Sequence, residues 1–254
     1  MYRLKILMFC VFCLSGILIA KAQDPLKDAE DKDSKRDAKT YVIRSLEGSK
    51  CTIHILPNYP LGILKIRCQK DTIIIGDYWG VPADIKVLGK TFLEVDYAIR
   101  AGSNVGAGHT LVFCISHNHL HKCMYVMKYT NGDAAGEQDD YHINLSLKGD
   151  NINSYKLNAS ITDKVHSKYS PEENYNYHNL SVLNFDVKNY VFYSIKQGLY
   201  EEYEIQNEAG KIAKQKLHGY YPEIILGADI YYYVNNNWYC LYDAKKLFPV
   251  VGND

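Results

Sequence analysis

The chain has 254 residues, of which 47% are hydrophobic, 23% charged and 13% aromatic. This composition supports one large folded domain or two small ones, and it excludes a collagen-like or wholly disordered chain. The 29 basic residues balance the 29 acidic ones. The chain therefore lacks the net positive field that draws proteins to nucleic acids, and we predict no nucleic-acid partner.

The first 22 residues have the features of a secretory signal peptide. Arg3 and Lys5 form a charged start, Ile6 to Ala20 is an apolar segment, and Ala20-Lys21-Ala22 has small residues where signal peptidase reads. The apolar segment has roughly 15 residues, fewer than the about 20 that cross a bilayer as a helix. We predict cleavage after Ala22, no transmembrane span in the cleaved chain, and a secreted, periplasmic or cell-envelope location.

The segment from Gln23 to Thr40 is rich in charge and poor in apolar side chains. It cannot bury enough surface to offset the entropy of ordering, so we predict a flexible leader over residues 23–40. From residue 41 to 254 we predict a single all-β domain. Short runs of β-branched and aromatic residues alternate there with polar residues and are separated by turn residues.

The predicted strands are numerous and short. No stretch of a dozen residues shows a clear helical apolar stripe, and Lys211 to Leu217 is the best weak helix candidate. An antiparallel β-sandwich or barrel-like domain accounts for this pattern, and a β-propeller is the runner-up because no repeat is evident. We predict strands at Tyr41–Leu46, Cys51–Leu56, Ile63–Gln69, Thr72–Ile75, Phe92–Arg100, Thr110–Ser116, His121–Tyr129, Tyr141–Leu147, Tyr155–Ile161, Val182–Val187, Tyr190–Ile195, Tyr200–Gln206, Ile230–Val234 and Trp238–Tyr242.

Cysteines lie where two predicted hairpins could align them. If Asn118-His119 is a two-residue turn, Cys114 opposes Cys123 on the next strand. Folding about the loop from Pro57 to Gly62 places Cys51 opposite Cys68 in the same way. An exported protein can keep disulfides, so we predict these two bridges, with small buried thiols as the alternative. Signal cleavage leaves five cysteines: Cys51, Cys68, Cys114, Cys123 and Cys240.

Three histidines, His117, His119 and His121, resemble a metal-binding string. On one continuous strand they would share a face and could bind zinc. The hairpin instead places His117 and His121 on opposite faces, with His119 in the turn. We therefore favour a polar hairpin tip over a metal site, and we predict no cofactor.

Two pairs of carboxylates, Glu94 with Asp96 and Glu202 with Glu204, each occupy alternate positions of a predicted strand. The Cα atoms of such a pair lie about 6.5 Å apart, a spacing that suits the general acid and base of glycoside hydrolysis. Because the intervening residues are apolar, we favour the interpretation that these carboxylates form the solvated reverse face. Glu94 and Asp96 are the stronger catalytic candidates, since Arg100 lies on the same predicted face.

A glycine-rich segment, Ala101 to Gly108, joins two predicted strands. Such loops can bind phosphate, but the known phosphate motifs require a helix after the glycines, and here a strand follows. We predict a hairpin loop at this position.

The most suggestive binding segment is the long polar connection from Asp163 to Asn179. Ser170 to Glu173 resembles the start of a one-turn helix, after which Tyr and Asn alternate. Long connections of this kind are usually functional or disordered. Aromatic rings beside amide groups suit a sugar or a protein surface, so we predict that Tyr175, Tyr177 and His178 bind a ligand.

The preferred function is an exported, non-catalytic protein that binds a glycan or a protein partner through Tyr- and Asn-rich loops. One alternative is a cell-envelope or extracellular hydrolase that uses Glu94 and Asp96, or a site centred on histidine. Another is a structural or assembly component. The oligomeric state stays open at this stage.

Overall fold

The structure, a computed structural model, describes residues 37–69, 71–79, 81–101, 105–134, 137–194, 223–226, 229–234, 236–242 and 246–249. This part of the chain is nearly all β, with one short 3-10 turn at Pro171–Glu173, which confirms the predicted class. It contains no helix with the length and hydropathy of a membrane span. The signal peptide, the strand predicted at Tyr200–Gln206 with Glu202 and Glu204, and the helix candidate Lys211–Leu217 lie outside the described residues.

The described residues form three antiparallel sheets, in each of which hydrogen-bonded neighbours follow one another along the chain. The sheets comprise β1 to β4, β5 to β12 and β13 to β16. The strands are β1 (Lys39–Arg44), β2 (Lys50–Asn58), β3 (Ile63–Cys68), β4 (Asp71–Ile75), β5 (Asp84–Leu88), β6 (Phe92–Ile99), β7 (Val105–Ser116), β8 (His119–Ala134), β9 (Glu137–Lys148), β10 (Lys156–Ser167), β11 (Tyr175–Asp186), β12 (Val191–Ser194), β13 (Glu223–Leu226), β14 (Asp229–Val234), β15 (Asn237–Tyr242) and β16 (Lys246–Pro249).

The first sheet packs against the second, where β1 contacts β6 and β4 contacts β8. Alternation within β2 buries Ile53 and Ile55 and leaves His54 exposed. Burying one such aliphatic side chain contributes roughly 1.5–3 kcal/mol. Backbone hydrogen bonds fix the two sheets together, since the N–H of Arg44 donates to the carbonyl of Lys90 at 2.7 Å.

The third sheet packs on β8. Trp238 Nε1 donates to the carbonyl oxygen of Lys122 at 2.8 Å, and the backbone N–H of Met127 donates to the hydroxyl of Tyr231 at 3.1 Å. Both aromatic rings are buried. The buried apolar side chains of the three sheets therefore form one continuous core.

The β2–β3 hairpin differs from the predicted register by two residues. Ile53, rather than Cys51, lies opposite Cys68. β2 continues through Asn58, whose side-chain oxygen accepts the N–H of Leu61 at 3.1 Å. This hydrogen bond closes a turn shorter than the predicted loop, and the shorter turn shifts the register.

The β7–β8 hairpin also differs, because its turn begins one residue earlier than predicted. His117 and Asn118 occupy the turn with φ values of 51° and 68°. Paired left-handed residues are typical of the type I′ turn that matches strand twist. As a result Cys114 lies opposite His121, and the predicted alignment with Cys123 is wrong.

The predicted disulfides, Cys51 with Cys68 and Cys114 with Cys123, are absent, and all five cysteines of the described part are free thiols. A β-bulge beside Val112 still brings the thiol of Cys123 next to that of Cys114. Burial and this neighbouring thiol raise the pKa of Cys123. Burial also raises the pKa of Cys68 to about 11, with a smaller effect from Cys51. Cys51, Cys68, Cys114 and Cys123 occupy the core as small buried side chains, and Cys240 is partly buried.

Part of the predicted glycine-rich loop belongs to a strand, since β7 begins at Val105. Gly108 lies under the ring of Tyr129, and a Cβ atom there would come within 2.8 Å of the Tyr97 carbonyl oxygen. Close packing between neighbouring strands therefore requires glycine at this position.

Candidate binding surface

The far ends of β9, β10 and β11 form an extension of the second sheet that we call the arm, comprising residues 137–142, 162–167 and 175–180. Val165 pairs with Asp139 on one side and with Tyr175 on the other. Every side chain from Tyr175 to Leu180 is exposed. The arm therefore presents its outer strand to solvent, whereas the other half of β11 contributes to the core.

The predicted binding residues Tyr175, Tyr177 and His178 all lie in the arm, but on a strand. The long polar loop predicted over 163–179 is wrong, because β10 runs to Ser167 and β11 begins at Tyr175. The backbone N–H of Ser167 donates to the side-chain oxygen of Asn174 at 2.6 Å and closes the short connection. That connection contains a single 3-10 turn, at the predicted one-turn start.

Side-chain hydrogen bonds hold the arm residues against β10. The hydroxyl of Tyr175 donates to Asp163 Oδ1 at 2.9 Å, and Thr162 Oγ1 lies 3.1 Å from His178 Nδ1. Tyr175 and Tyr177 nevertheless keep 36% and 38% of their surface exposed. A ring that is held by a hydrogen bond and still exposed, as Tyr175 is, can bind a partner at low entropic cost.

The backbone of β11 directs alternate residues to its two sides. β12 pairs with the segment 183–186, and the described pairing of the segment 175–180 is with β10. The N–H of Phe185 points towards β10, because it donates to the Tyr155 carbonyl at 3.2 Å. The pairing of β11 with β10 has no register shift, so the backbone N–H and C=O groups of every second residue point away from β10. In the arm these residues are Asn176, His178 and Leu180.

The side chain of Asn179 supports this assignment. It accepts the N–H of Leu180 at 2.8 Å, which agrees with an N–H that points away from β10.

The segment 175–185 lacks charge, as does β12, whereas β1, β4 and β5, which are also outermost strands of the first two sheets, carry charged residues. No Asp, Glu, Lys or Arg occurs from Tyr175 to Phe185. Charged side chains are a common way to prevent strand edges from pairing. The charged residues of the other outer strands are Lys39 and Arg44 in β1, Asp71 in β4, and Asp84 and Lys86 in β5.

The catalytic candidates Glu94 and Asp96 lie in a buried charge cluster, so the predicted solvated face is wrong. Glu94 is only 1% exposed. Lys128 Nζ lies 2.7 Å from Glu94 Oε1 and 3.1 Å from Asp96 Oδ2. The pairing of β7 with β8 shifts register between Gly108 and His109, and Lys128 is the residue of β8 left without an opposite partner there. Arg100, which was expected beside this pair, instead lies over the ring of Trp79 at 5.4 Å.

Burial dominates the electrostatics of this cluster. It raises the pKa of Glu94, as does the Asp96 carboxylate, while Lys128 acts in the opposite direction. Lys86 Nζ lies 3.4 Å from Asp96 Oδ2 and 3.1 Å from Asp84 Oδ2, so two lysines contact three carboxylates. A carboxyl group with this degree of burial has no surface to offer a substrate. The arrangement is that of a structural ion-pair cluster.

The histidines of the β7–β8 tip point to separate partners. His117 Nδ1 lies 3.4 Å from Glu47 Oε1, and His119 Nδ1 lies 3.6 Å from Asp71 Oδ2. The ring of His121 stacks on Tyr190, with centroids 4.3 Å apart. No cluster of three or more metal-ligating side chains occurs in the part of the chain that the structure describes.

A buried polar cluster was not predicted from the sequence. The hydroxyls of Tyr97 and Tyr125 are hydrogen bonded to each other, and Tyr97 Oη lies 3.4 Å from His109 Nδ1. Burial lowers the pKa of His109 to about 4, so the ring is neutral at pH 7. Tyr97 of β6 lies directly opposite His109 of β7. The sequence signal for the burial of Tyr97 was its place in the apolar row of β6, with Leu93 and Val95.

No protein-family description, curated protein or solved structure matches this chain.

Proposed function

We propose that this chain is an exported, non-catalytic protein whose arm binds a protein partner. The observation that carries the proposal is the uncharged strand segment 175–180, all of whose side chains are exposed. The signal-peptide features of the first 22 residues support export.

The geometry favours a protein over a glycan. Small ligands usually bind in concave sites, whereas the exposed side chains of residues 175–180 follow one extended strand. A protein surface can contact such a row along its length. The exposed rings of Tyr175 and Tyr177 would supply the aromatic contacts.

The proposal can be tested with two probes, a random peptide library displayed on phage and a printed glycan array. We expect the full chain to select extended peptides and to leave the array without signal. The double variant Tyr175→Ala/Tyr177→Ala should weaken binding of the selected peptides about tenfold or more, because buried aromatic contacts often dominate interfaces.

Tyr169→Ala is the matched control, since Tyr169 is 76% exposed but lies in the connection outside β10 and β11. It should bind the selected peptides as the parent chain does. Array binding that depends on Tyr175 and Tyr177 would replace the protein partner with a glycan. Peptide binding that is indifferent to both tyrosines would overturn the role of the arm.

A further inference from the structure

We propose that the outer face of the first sheet is a docking surface for a bilayer of anionic lipid. On this side of β1 to β4, opposite the core, alternate side chains are exposed or half-buried. We call this surface the basic face. Its members are Thr40, Val42, Arg44, Lys50, Thr52, His54, Leu56, Lys65, Arg67, Thr72 and Ile74.

The basic face carries four cations and no carboxylate. Arg44, Lys50, Lys65 and Arg67 belong to it, and none of its members is Asp or Glu. The whole chain has 29 basic and 29 acidic residues, so overall neutrality conceals this local excess. Among the ion pairs of the described residues, none involves any of these four cations.

The carboxylates at the ends of this sheet are directed to the β7–β8 tip instead. Glu47, in the turn between β1 and β2, accepts the hydroxyl of Ser116 at 2.6 Å. Asp71, the first residue of β4, accepts the backbone N–H of Leu120 at 2.8 Å. Both acids therefore serve the contact between the two sheets and leave the cations of the basic face for an external anion.

Strand pairing brings cations of the basic face together. Arg44 of β1 lies directly opposite Lys50 of β2, and Lys65 and Arg67 occupy alternate positions of β3. Like charges at directly opposed positions of a sheet repel each other. An anionic surface laid over these side chains relieves that repulsion, so the arrangement favours binding of negative charge.

The layout of the basic face fits a plane better than a single extended chain. It covers four strands, roughly 14 Å at a spacing of about 4.8 Å. Along β2 it runs from Lys50 to Leu56, roughly 20 Å at about 3.4 Å per residue. An acidic peptide would follow one row, whereas a layer of lipid headgroups contacts cations of β1, β2 and β3 together.

Apolar side chains lie between the cations. Val42 and Ile74 are 59% and 42% exposed on the basic face. At a membrane surface such side chains enter the boundary between headgroups and acyl chains, while lysine and arginine contact the anionic headgroups. The signal-peptide features of the first 22 residues support export across a membrane.

Vesicle flotation tests the proposal with the processed chain that begins at Gln23. This chain keeps every described residue and removes the apolar signal segment, which would itself bind lipid. We expect binding to vesicles of mixed phosphatidylcholine and phosphatidylglycerol and none to vesicles of phosphatidylcholine alone. Added salt should release the chain, because it screens exposed charges. Equal binding to both compositions, or to neither, would overturn the proposal.

Arg44→Gln/Lys50→Gln tests the position of the surface. Each cation at an anionic bilayer strengthens binding about fivefold, so we expect the vesicle Kd to rise about twentyfold. Lys164→Gln/Lys168→Gln removes the same charge from exposed positions outside the first sheet and should change the Kd less than about threefold. Equal losses in the two variants would make net charge the cause and overturn the basic face.

The exchange Arg44→Lys/Lys50→Arg keeps both charges and should keep vesicle binding, which separates loss of charge from loss of fold. Loss of binding in this variant, with its urea denaturation unchanged, would contradict attraction by charge alone. Soluble polyglutamate is the competing probe. A chain that binds polyglutamate through Arg44 and Lys50 but leaves anionic vesicles unbound would replace the bilayer with an acidic protein.

The basic face and the arm are tested separately. Tyr175→Ala/Tyr177→Ala should bind anionic vesicles as the parent chain does, since both rings lie in the arm of the second sheet. Loss of vesicle binding in that variant would place the lipid contact in the arm and overturn the basic face.

Discussion

The buried charge cluster and the arm reverse the usual distribution of polar and apolar residues. Glu94 is 1% exposed and contacts Lys128 at 2.7 Å, whereas Leu180 is 58% exposed in the uncharged segment 175–185. Charged groups tolerate burial when a partner of opposite charge is within reach. A cation from a distant strand therefore determines the position of the cluster, whereas the arm is the surface where we propose that another protein binds.

The largest expected effect is the loss of stability when the buried charge cluster is broken. Lys128→Met leaves Glu94 and Asp96 buried without their shared cation. We expect the free energy of unfolding to fall by about 3–5 kcal/mol, as for other broken buried ion pairs. Urea denaturation measures the change. Lys164→Met, at an exposed position of the arm, should change it by less than about 0.5 kcal/mol. Equal losses in the two variants would contradict the distinction between the regions.

Two tyrosines of one cross-strand row sharpen the comparison. Asp163 of β10 lies between Tyr141 and Tyr177, and only Tyr141 is buried, at 9% exposure. We expect Tyr141→Ala to lower the free energy of unfolding by about 3 kcal/mol, because it leaves a large cavity. Tyr177→Ala should lower it by less than about 1 kcal/mol. Thermal and urea denaturation compare the two, and a large loss in Tyr177→Ala would place that ring in the core.

The smallest expected effect concerns acid. His109 has a pKa of about 4 in the folded chain against an ordinary value of 6.5. The unfolded chain therefore binds more protons between these values, so stability is complete above pH 6.5 and falls as the pH drops towards 4. The free energy of unfolding is expected to fall by about 2–3 kcal/mol over this pH interval.

His109→Phe should flatten this part of the stability profile, and the difference between the two profiles isolates His109 from Glu94. Glu94 acts in the opposite sense, because its pKa is raised in the folded chain. Parallel profiles for His109→Phe and the parent would contradict the buried neutral ring.

Most strands of the described part follow from the alternation of apolar and polar residues, but their registers do not. The two hairpin registers depend on single turn residues. Asn58 closes one turn through its side chain, and His117 adopts a positive φ in the other. An error of one residue in the position of such a turn shifts the alignment of the two strands by two residues. This is why the predicted strand alignments of both cysteine pairs were wrong.

The arm and the charge cluster were mispredicted for a shared reason, since each depends on a distant segment. Polar Tyr-Asn alternation from Tyr175 onward is typical of a loop, and only pairing with β10 makes it a strand. Glu94 alternates with apolar residues as on a half-solvated strand, and only Lys128 from β8 makes its burial favourable. Local periodicity contains no information about either partner.

The order of strands within the sheets has a consequence for how this chain folds. Throughout the described part each strand pairs with the segment before or after it, so hairpins can form as soon as successive segments are available. Loop-closure entropy is small for such contacts, and folding is correspondingly fast. Docking of Trp238 on Lys122, across more than a hundred residues, is then expected as a late step that locks hairpins already formed.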